Sequence, residues 1–129
     1  MNLLDENIRH DQGQQLRRWR VPCRFLIEDF APSGIQDPDI IPLLHRLKHA
    51  TLFTHDRDFF RQRLAHPAYC LVWLDVFDGA AARYVREFLR HSSFDTAAKR
   101  MGVAARVHQG GIDYWRCKRH SLARIEWTV

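Results

Sequence analysis

Several aspartates in this chain stand where an apolar run gives way to a loop. Asp5 follows Leu3-Leu4, Asp56 and Asp58 follow Leu52-Phe53-Thr54, and Asp75 follows the run from Cys70 to Leu74. If those runs are parallel strands, such positions converge, because ligands of open α/β sheets bind beyond the carboxyl ends of the strands. Asp37 can join them from the start of a helix. Carboxylates gathered in one cleft repel, by on the order of 4 kcal/mol per pair at 4 Å for an effective dielectric near 20. A hard cation removes that repulsion, and Mg²⁺ or Mn²⁺ prefers oxygen ligands and keeps several waters. Bound there, either ion would polarise a phosphodiester, generate hydroxide from water and stabilise the leaving oxygen. The expected metal and catalytic site is therefore Asp5, Asp37, Asp56 and Asp58.

Each acid also has an ordinary role to be weighed. Asp37 before Pro38 is a strong helix start, since Asp accepts free amide hydrogens as N-cap and the missing N–H of proline costs nothing at the first helical position. Asp56 or Asp58 can cap a short helix containing Phe59 and Phe60, and Asp78 can cap the helix after it. Asp39 is favoured by the macrodipole in a first helical turn. Asp75 can turn to the opposite face. Glu6 competes with Asp5 for the inward position, and period-two alternation in extended chain favours Asp5.

The elements that would hold these acids follow from periodicity. Residues 2 to 4 read as a strand, and Ile8, Leu16 and Trp19 fall on one helical stripe. Val21 to Ile27 reads as a second strand, and residues 31 to 34 as a loop. From Asp37 a helix buries Ile40, Ile41, Leu44 and Leu47. Thr51 to Thr54 is a short strand, and Phe59, Phe60 and Leu64 suit a short helix closed by Pro67. The unbroken run from Cys70 to Leu74 predicts a central parallel strand covered on both faces. Ala81, Val85, Phe88 and Leu89 share a helical face, and Phe94 to Met101 reads as a further short helix. After Gly102 the texture changes to antiparallel strands: Val103 to Gln109, a Gly110-Gly111 turn, Ile112 to Lys118 and Leu122 to Thr128. The expected class is α/β, a parallel sheet with a C-terminal antiparallel hairpin or meander along its edge.

Bulk properties set the limits. A chain of 129 residues suits one domain, with residues 1–101 as α/β core and 102–129 as a β extension. Apolar residues at 46% and charged residues at 27% describe a chain that can bury a core and is not disordered. The longest apolar runs fall far short of the roughly 20 residues that span a bilayer. The start, with two acids directly after two leucines, does not read as a signal peptide, so a cytoplasmic location is expected. Cys23, Cys70 and Cys117 are odd in number and widely spaced, which points to reduced core residues rather than disulfides or a zinc CxxC. His45 and His49 lack the acid of an HExxH motif. Nor is there a GxSxG elbow. Twenty Lys and Arg against fifteen Asp and Glu leave +5, which favours a polyanion. Arginines cluster at Arg17, Arg18 and Arg20 and at Arg57, Arg61 and Arg63.

Leu3-Leu4-Asp5-Glu6-Asn7, Asp37 opening a helix with Ile40-Ile41, and Thr54-His55-Asp56-Arg57-Asp58-Phe59 together resemble the small bacterial PIN-like domains related to VapC-type toxins. The resemblance covers roughly the first 75 residues, and His55 stands where an arginine is more usual. It implies a three-layer α/β/α nuclease fold in which Asp5, Asp37, Asp56 and Asp58 bind Mg²⁺ or Mn²⁺ and hydrolyse RNA, ahead of DNA. It also implies an endoribonuclease of toxin-antitoxin type, with a cognate antitoxin protein as partner. A homodimer is compatible with this reading and a membrane partner is not. The alternative is a catalytically inactive nucleic-acid-binding or protein-interaction module. In that reading Arg106, Arg116, Lys118, Arg119 and Arg124, with Tyr114, Trp115 and Trp127, form the contact surface.

Overall fold

The computed structural model describes residues 1–30 and 37–127, and of residues 37 and 38 the backbone alone. In chain order its regular elements are β1 (Asn2–Leu4), α1 (His10–Arg18), β2 (Arg24–Phe25), α2 (Leu26–Phe30), α3 (Asp37–Arg46), β3 (Ala50–Thr54), β4 (Tyr69–Leu74), α4 (Ala81–Arg90), α5 (Ala97–Arg100), β5 (Val103–His108), β6 (Gly111–Arg116) and β7 (Ala123–Ile125). All seven strands form one sheet in the order β2-β1-β3-β4-β5-β6-β7. The pairings from β2 across to β5 are parallel, and β6 and β7 add antiparallel at the C-terminal end. The fold class is thus α/β with a mixed, mostly parallel sheet.

Alternation along each strand sends side chains to two separate cores. On one face Leu4, Phe53, Cys70, Val72, Leu74, Val103, Ala105 and Val107 pack under α1 and α4, through Leu16, Val85 and Phe88. On the other face Leu3, Ala50, Leu52, Tyr69, Leu71 and Ala104 pack under α2 and α3, through Leu26, Ile40, Leu43 and Leu44. Each fully buried leucine or phenylalanine contributes about 1.5–3 kcal/mol to this arrangement. β4 is fourth of the seven strands and buried on both faces, as its unbroken apolar run requires. No described helix is long and apolar enough to cross a membrane.

Some elements differ from what periodicity suggests. Val103 to His108 does not open the antiparallel portion: β5 pairs with β4 in parallel, and only then does β6 turn back against it. A parallel neighbour needs a crossover of a dozen or more residues, and the segment carrying α4 and α5 supplies it. The strand expected over Val21 to Ile27 is two residues long, because Leu26 enters α2 and is wholly buried there. Short edge strands of this kind leave little unpaired backbone for other chains. The helix expected from Phe94 is confined to Ala97–Arg100. Thr96 caps it, its hydroxyl accepting the Lys99 N–H at 3.2 Å, while Phe94 sits in the core. Phe59 and Leu64 belong to two 3₁₀ turns, Arg57–Phe59 and Gln62–Leu64, with Phe60 between them, rather than to one helix. Asp78 opens another 3₁₀ turn and makes no side-chain cap; the amide of Ala82 at the start of α4 donates instead to Oε1 of Gln12 on α1, at 2.9 Å. The loop expected over residues 31 to 34 lies outside the described residues. The three cysteines are free, Cys70 buried and the other two half-buried.

Candidate functional site

The strand order creates one crevice of the kind that binds ligands in open α/β sheets. From β1 the chain leaves to β2 on one side and returns to β3 on the other, so the connections after β1 and β3 diverge between those strands. Asp5 is the first residue beyond β1, and its own N–H donates to the Phe53 carbonyl of β3 at 2.9 Å. Its side chain is turned inward and buried at 4% exposure, whereas Glu6 is exposed. The alternation argument for Asp5 over Glu6 therefore matches the geometry.

Asp5 is held by two donors. The Glu6 N–H reaches Oδ1 at 2.8 Å, and the Thr54 hydroxyl reaches Oδ2 at 2.7 Å. Thr54, the last residue of β3, is itself fully buried. Its Oγ1 also accepts from the Asp56 N–H at 3.0 Å and from Nδ2 of Asn7 at 3.2 Å. A hydroxyl has one hydrogen and two lone pairs, so every valence of this one is committed. Asn7 closes the loop by accepting the His55 N–H on Oδ1 at 3.1 Å. The ends of β1 and β3 are thereby tied by side chains as well as backbone, with the Thr54 Oγ1 at the centre. Spacing alone does not single out Thr54 or Asn7, although both lie inside the motifs that carry the PIN-like resemblance.

The other expected ligands fall into different environments. Asp56 accompanies Asp5, its backbone on the Thr54 hydroxyl and its Oδ1 accepting the Asp58 N–H at 2.9 Å as cap of the Arg57–Phe59 turn. Asp58 is largely exposed and pairs with Arg61 at 3.1 Å. Asp37 begins α3, and its side chain lies outside the described residues, as does the capping role expected of it. Asp75 leaves the crevice: Arg106 on β5 takes its carboxylate at 2.7 Å. Asp78 stands 3.9 Å from Nε2 of His55. That histidine has Nδ1 at 3.0 Å from the Leu74 carbonyl, which can only accept, so Nδ1 carries a proton, while Nε2 is a buried nitrogen with no hydrogen-bond partner among the described residues.

Whether these residues suit a divalent cation turns on donor chemistry. Among the described residues no three His, Cys, Asp or Glu side chains are gathered so as to hold a metal ion. The Thr54 hydroxyl meets the Asp5 carboxylate and the Asp56 backbone N–H, while the Asp56 carboxylate caps the turn that follows. Mg²⁺, however, is usually held by one or two carboxylates, its remaining positions filled by waters and substrate phosphates. Asp5 offers that: each carboxylate oxygen has two lone-pair sites and uses one on a described donor. The oxygen-only donors of Asp5 and Asp56 fit a hard cation.

Basic and aromatic residues of the last third divide between the two faces. Tyr114 and Trp127 pack on the core under α1 and α4, whereas Trp115 packs on the core under α2 and α3. The single surface expected to unite them is not formed. Their alternation along β6 explains why, since Tyr114 and Trp115 are sequence neighbours.

Fold and crevice together describe an α/β protein with a buried carboxylate at the switch between β1 and β3. Compared with protein-family models, with curated proteins and with solved structures, the chain matches none.

Proposed function

We propose that this chain is a PIN-like, divalent-cation-dependent phosphodiesterase acting on RNA, with its centre at the carboxyl edge between β1 and β3. The observation that carries the reading is Asp5. A carboxylate at 4% exposure, with no Lys or Arg among the described residues as ion-pair partner, is an expensive group to bury. Two hydrogen bonds offset part of that cost, and a cation would offset the rest. Its place at the switch point argues for a binding role rather than a packing one.

Asp5 and Asp56 would hold Mg²⁺ or Mn²⁺, with Asp58 and Asp37 as further candidate ligands. A cation bound there supplies charge to polarise the phosphodiester and to lower the pKa of an attacking water. The chain's own residues do the positioning. Thr54 and Asn7 fix the Asp5 carboxylate, and the exposed Arg57, Arg61 and Arg63 on the turns after Asp56 attract the phosphate backbone.

The first test is a thermal melt with added Mn²⁺ or Mg²⁺ alongside cleavage of end-labelled RNA. Binding to the folded state alone adds about 2.7 kcal/mol at a hundred times Kd, so the melting temperature should rise in the wild type and not in Asp5→Asn, which should also lose cleavage. Unchanged melting at millimolar metal, with intact RNA, would rule the reading out. Co-expression with the neighbouring open reading frame tests the toxin-antitoxin version: growth arrest relieved by a bound partner is the expected result.

A second reading, RNA binding without cleavage, draws on the same residues. Asp56 is used as a turn cap and Asp58 in an ion pair, roles that need no metal. RNA affinity with no metal-linked stabilisation would select it.

A further inference from the structure

On the face covered by α2 and α3 the described residues roof only part of the sheet. The core there ends at Ala104 of β5, with Trp115 of β6 at its rim. Beyond it the strand register lines up one row of side chains: Thr54 pairs with Trp73, Trp73 with Arg106, Arg106 with Asp113, and Asp113 with Arg124. Directly opposed residues share a face, so this row runs from the hydroxyl that holds Asp5 across β4, β5, β6 and β7.

The row carries one indole, Trp73, and two guanidiniums, Arg106 and Arg124, on either side of the buried Asp113 carboxylate. Trp73 is half-buried, with the Phe60 ring 5.9 Å away and the Arg106 guanidinium 5.5 Å above it. Asp75 at 2.7 Å and Asp113 at 3.1 Å hold that guanidinium in place. Arg124, 77% exposed, closes the far end at 3.4 Å from Asp113, beside a cavity of about 380 Å³ that Arg106 and His108 also line. At the near end Arg57, Arg61 and Arg63 are exposed on the turns flanking Phe60.

We propose that this row is a platform for single-stranded RNA, leading the strand toward the β1/β3 crevice. Only the destination rests on the phosphodiesterase reading. Aromatic faces with arginines at both margins stack unpaired bases and take up phosphates, which a duplex, with its base faces hidden, cannot exploit. RNA is favoured over DNA because the Asp75 carboxylate, 39% exposed beside the row, is an acceptor for a ribose 2′-hydroxyl.

The experiment is fluorescence anisotropy of a labelled oligo-uridine in EDTA, where cleavage is silent, at salt from about 50 to 200 mM. Trp73→Leu should weaken binding roughly tenfold by removing one stacking face. Arg124→Glu, its folding checked by circular dichroism because the new carboxylate faces Asp113, should weaken it severalfold and lower the salt slope by about one phosphate contact. Arg18→Glu on α1, carrying the same charge change on the opposite face, should stay within about twofold of wild type. Oligo-deoxythymidine should bind less tightly, and duplex RNA least. Equal losses in Arg18→Glu and Arg124→Glu, equal affinity for duplex, or no oligo-uridine binding would overturn the platform. In the wild type, absence of RNA cleavage with added Mg²⁺ or Mn²⁺ while this binding pattern stays intact refutes the phosphodiesterase and leaves the platform standing.

Discussion

Thr54 shows how much one hydroxyl can decide. It donates to Asp5 and accepts from Asp56 and Asn7, so its removal strands a buried carboxylate oxygen and two N–H groups at once. Thr54→Val keeps the shape and deletes those bonds. It should cost about 2–4 kcal/mol in urea unfolding, with Thr54→Ser recovering most of the loss, because leaving buried partners unsatisfied is worse than removing both sides. A Thr54→Val protein as stable as wild type would show the network to be ornamental. Asp5→Asn follows the same arithmetic. Sequence spacing suggests crowded carboxylates whose repulsion the substitution relieves, but Asp5 is surrounded by donors, and an amide offers one acceptor where two are needed. A modest loss of stability in metal-free buffer, about 1 kcal/mol, is the expected outcome in the same unfolding experiment.

At the scale of elements, β7 is an edge strand of three residues paired on one side only, and Gly111 bears on whether it stays. Its φ of +149° is one that side chains rarely adopt, and a Cβ there would run into the Ile125 carbonyl oxygen of β7. The obstacle is backbone, so the strand itself must shift. Gly111→Ala should destabilise by about 1–3 kcal/mol and free the amides of residues 123–125 to exchange, measured by hydrogen exchange. Protection at β7 equal to wild type would contradict this. On the other side of the sheet, α1 and α4 are joined by more than apolar contact. The Gln12 amide oxygen serves as the cap that Asp78 does not provide, a partner 70 residues away that no local capping rule would name.

Across the whole molecule, stability at alkaline pH reports on the centre of the sheet. Burial pushes the Cys70 thiol from an ordinary value of 9.0 up to about 12. The folded state therefore keeps the proton while the unfolded chain loses it above about 9. This contribution is fully present below pH 9 and declines as pH rises toward 12, at up to roughly 1.4 kcal/mol per unit. Cys70→Ala should be less stable below pH 8.5 because of the cavity, yet show a shallower decline between pH 8.5 and pH 10.5 by about 1–2 kcal/mol. Parallel curves for the two proteins would place the alkaline loss elsewhere. What the sequence determined by itself lay close along the chain: the apolar run that makes β4 central, the stripes of α3 and α4, the inward turn of Asp5, and the C-terminal meander. These follow from periods of 2 and 3.6 residues, which neighbouring positions carry. Only the tertiary structure decided that β5 runs parallel to β4, that Thr54 is the hub of the crevice, and that Trp73, Arg106, Asp113 and Arg124 form a row. Those partners are set by strand order and register, and a register depends on how whole strands pack across the sheet rather than on the residues beside each one.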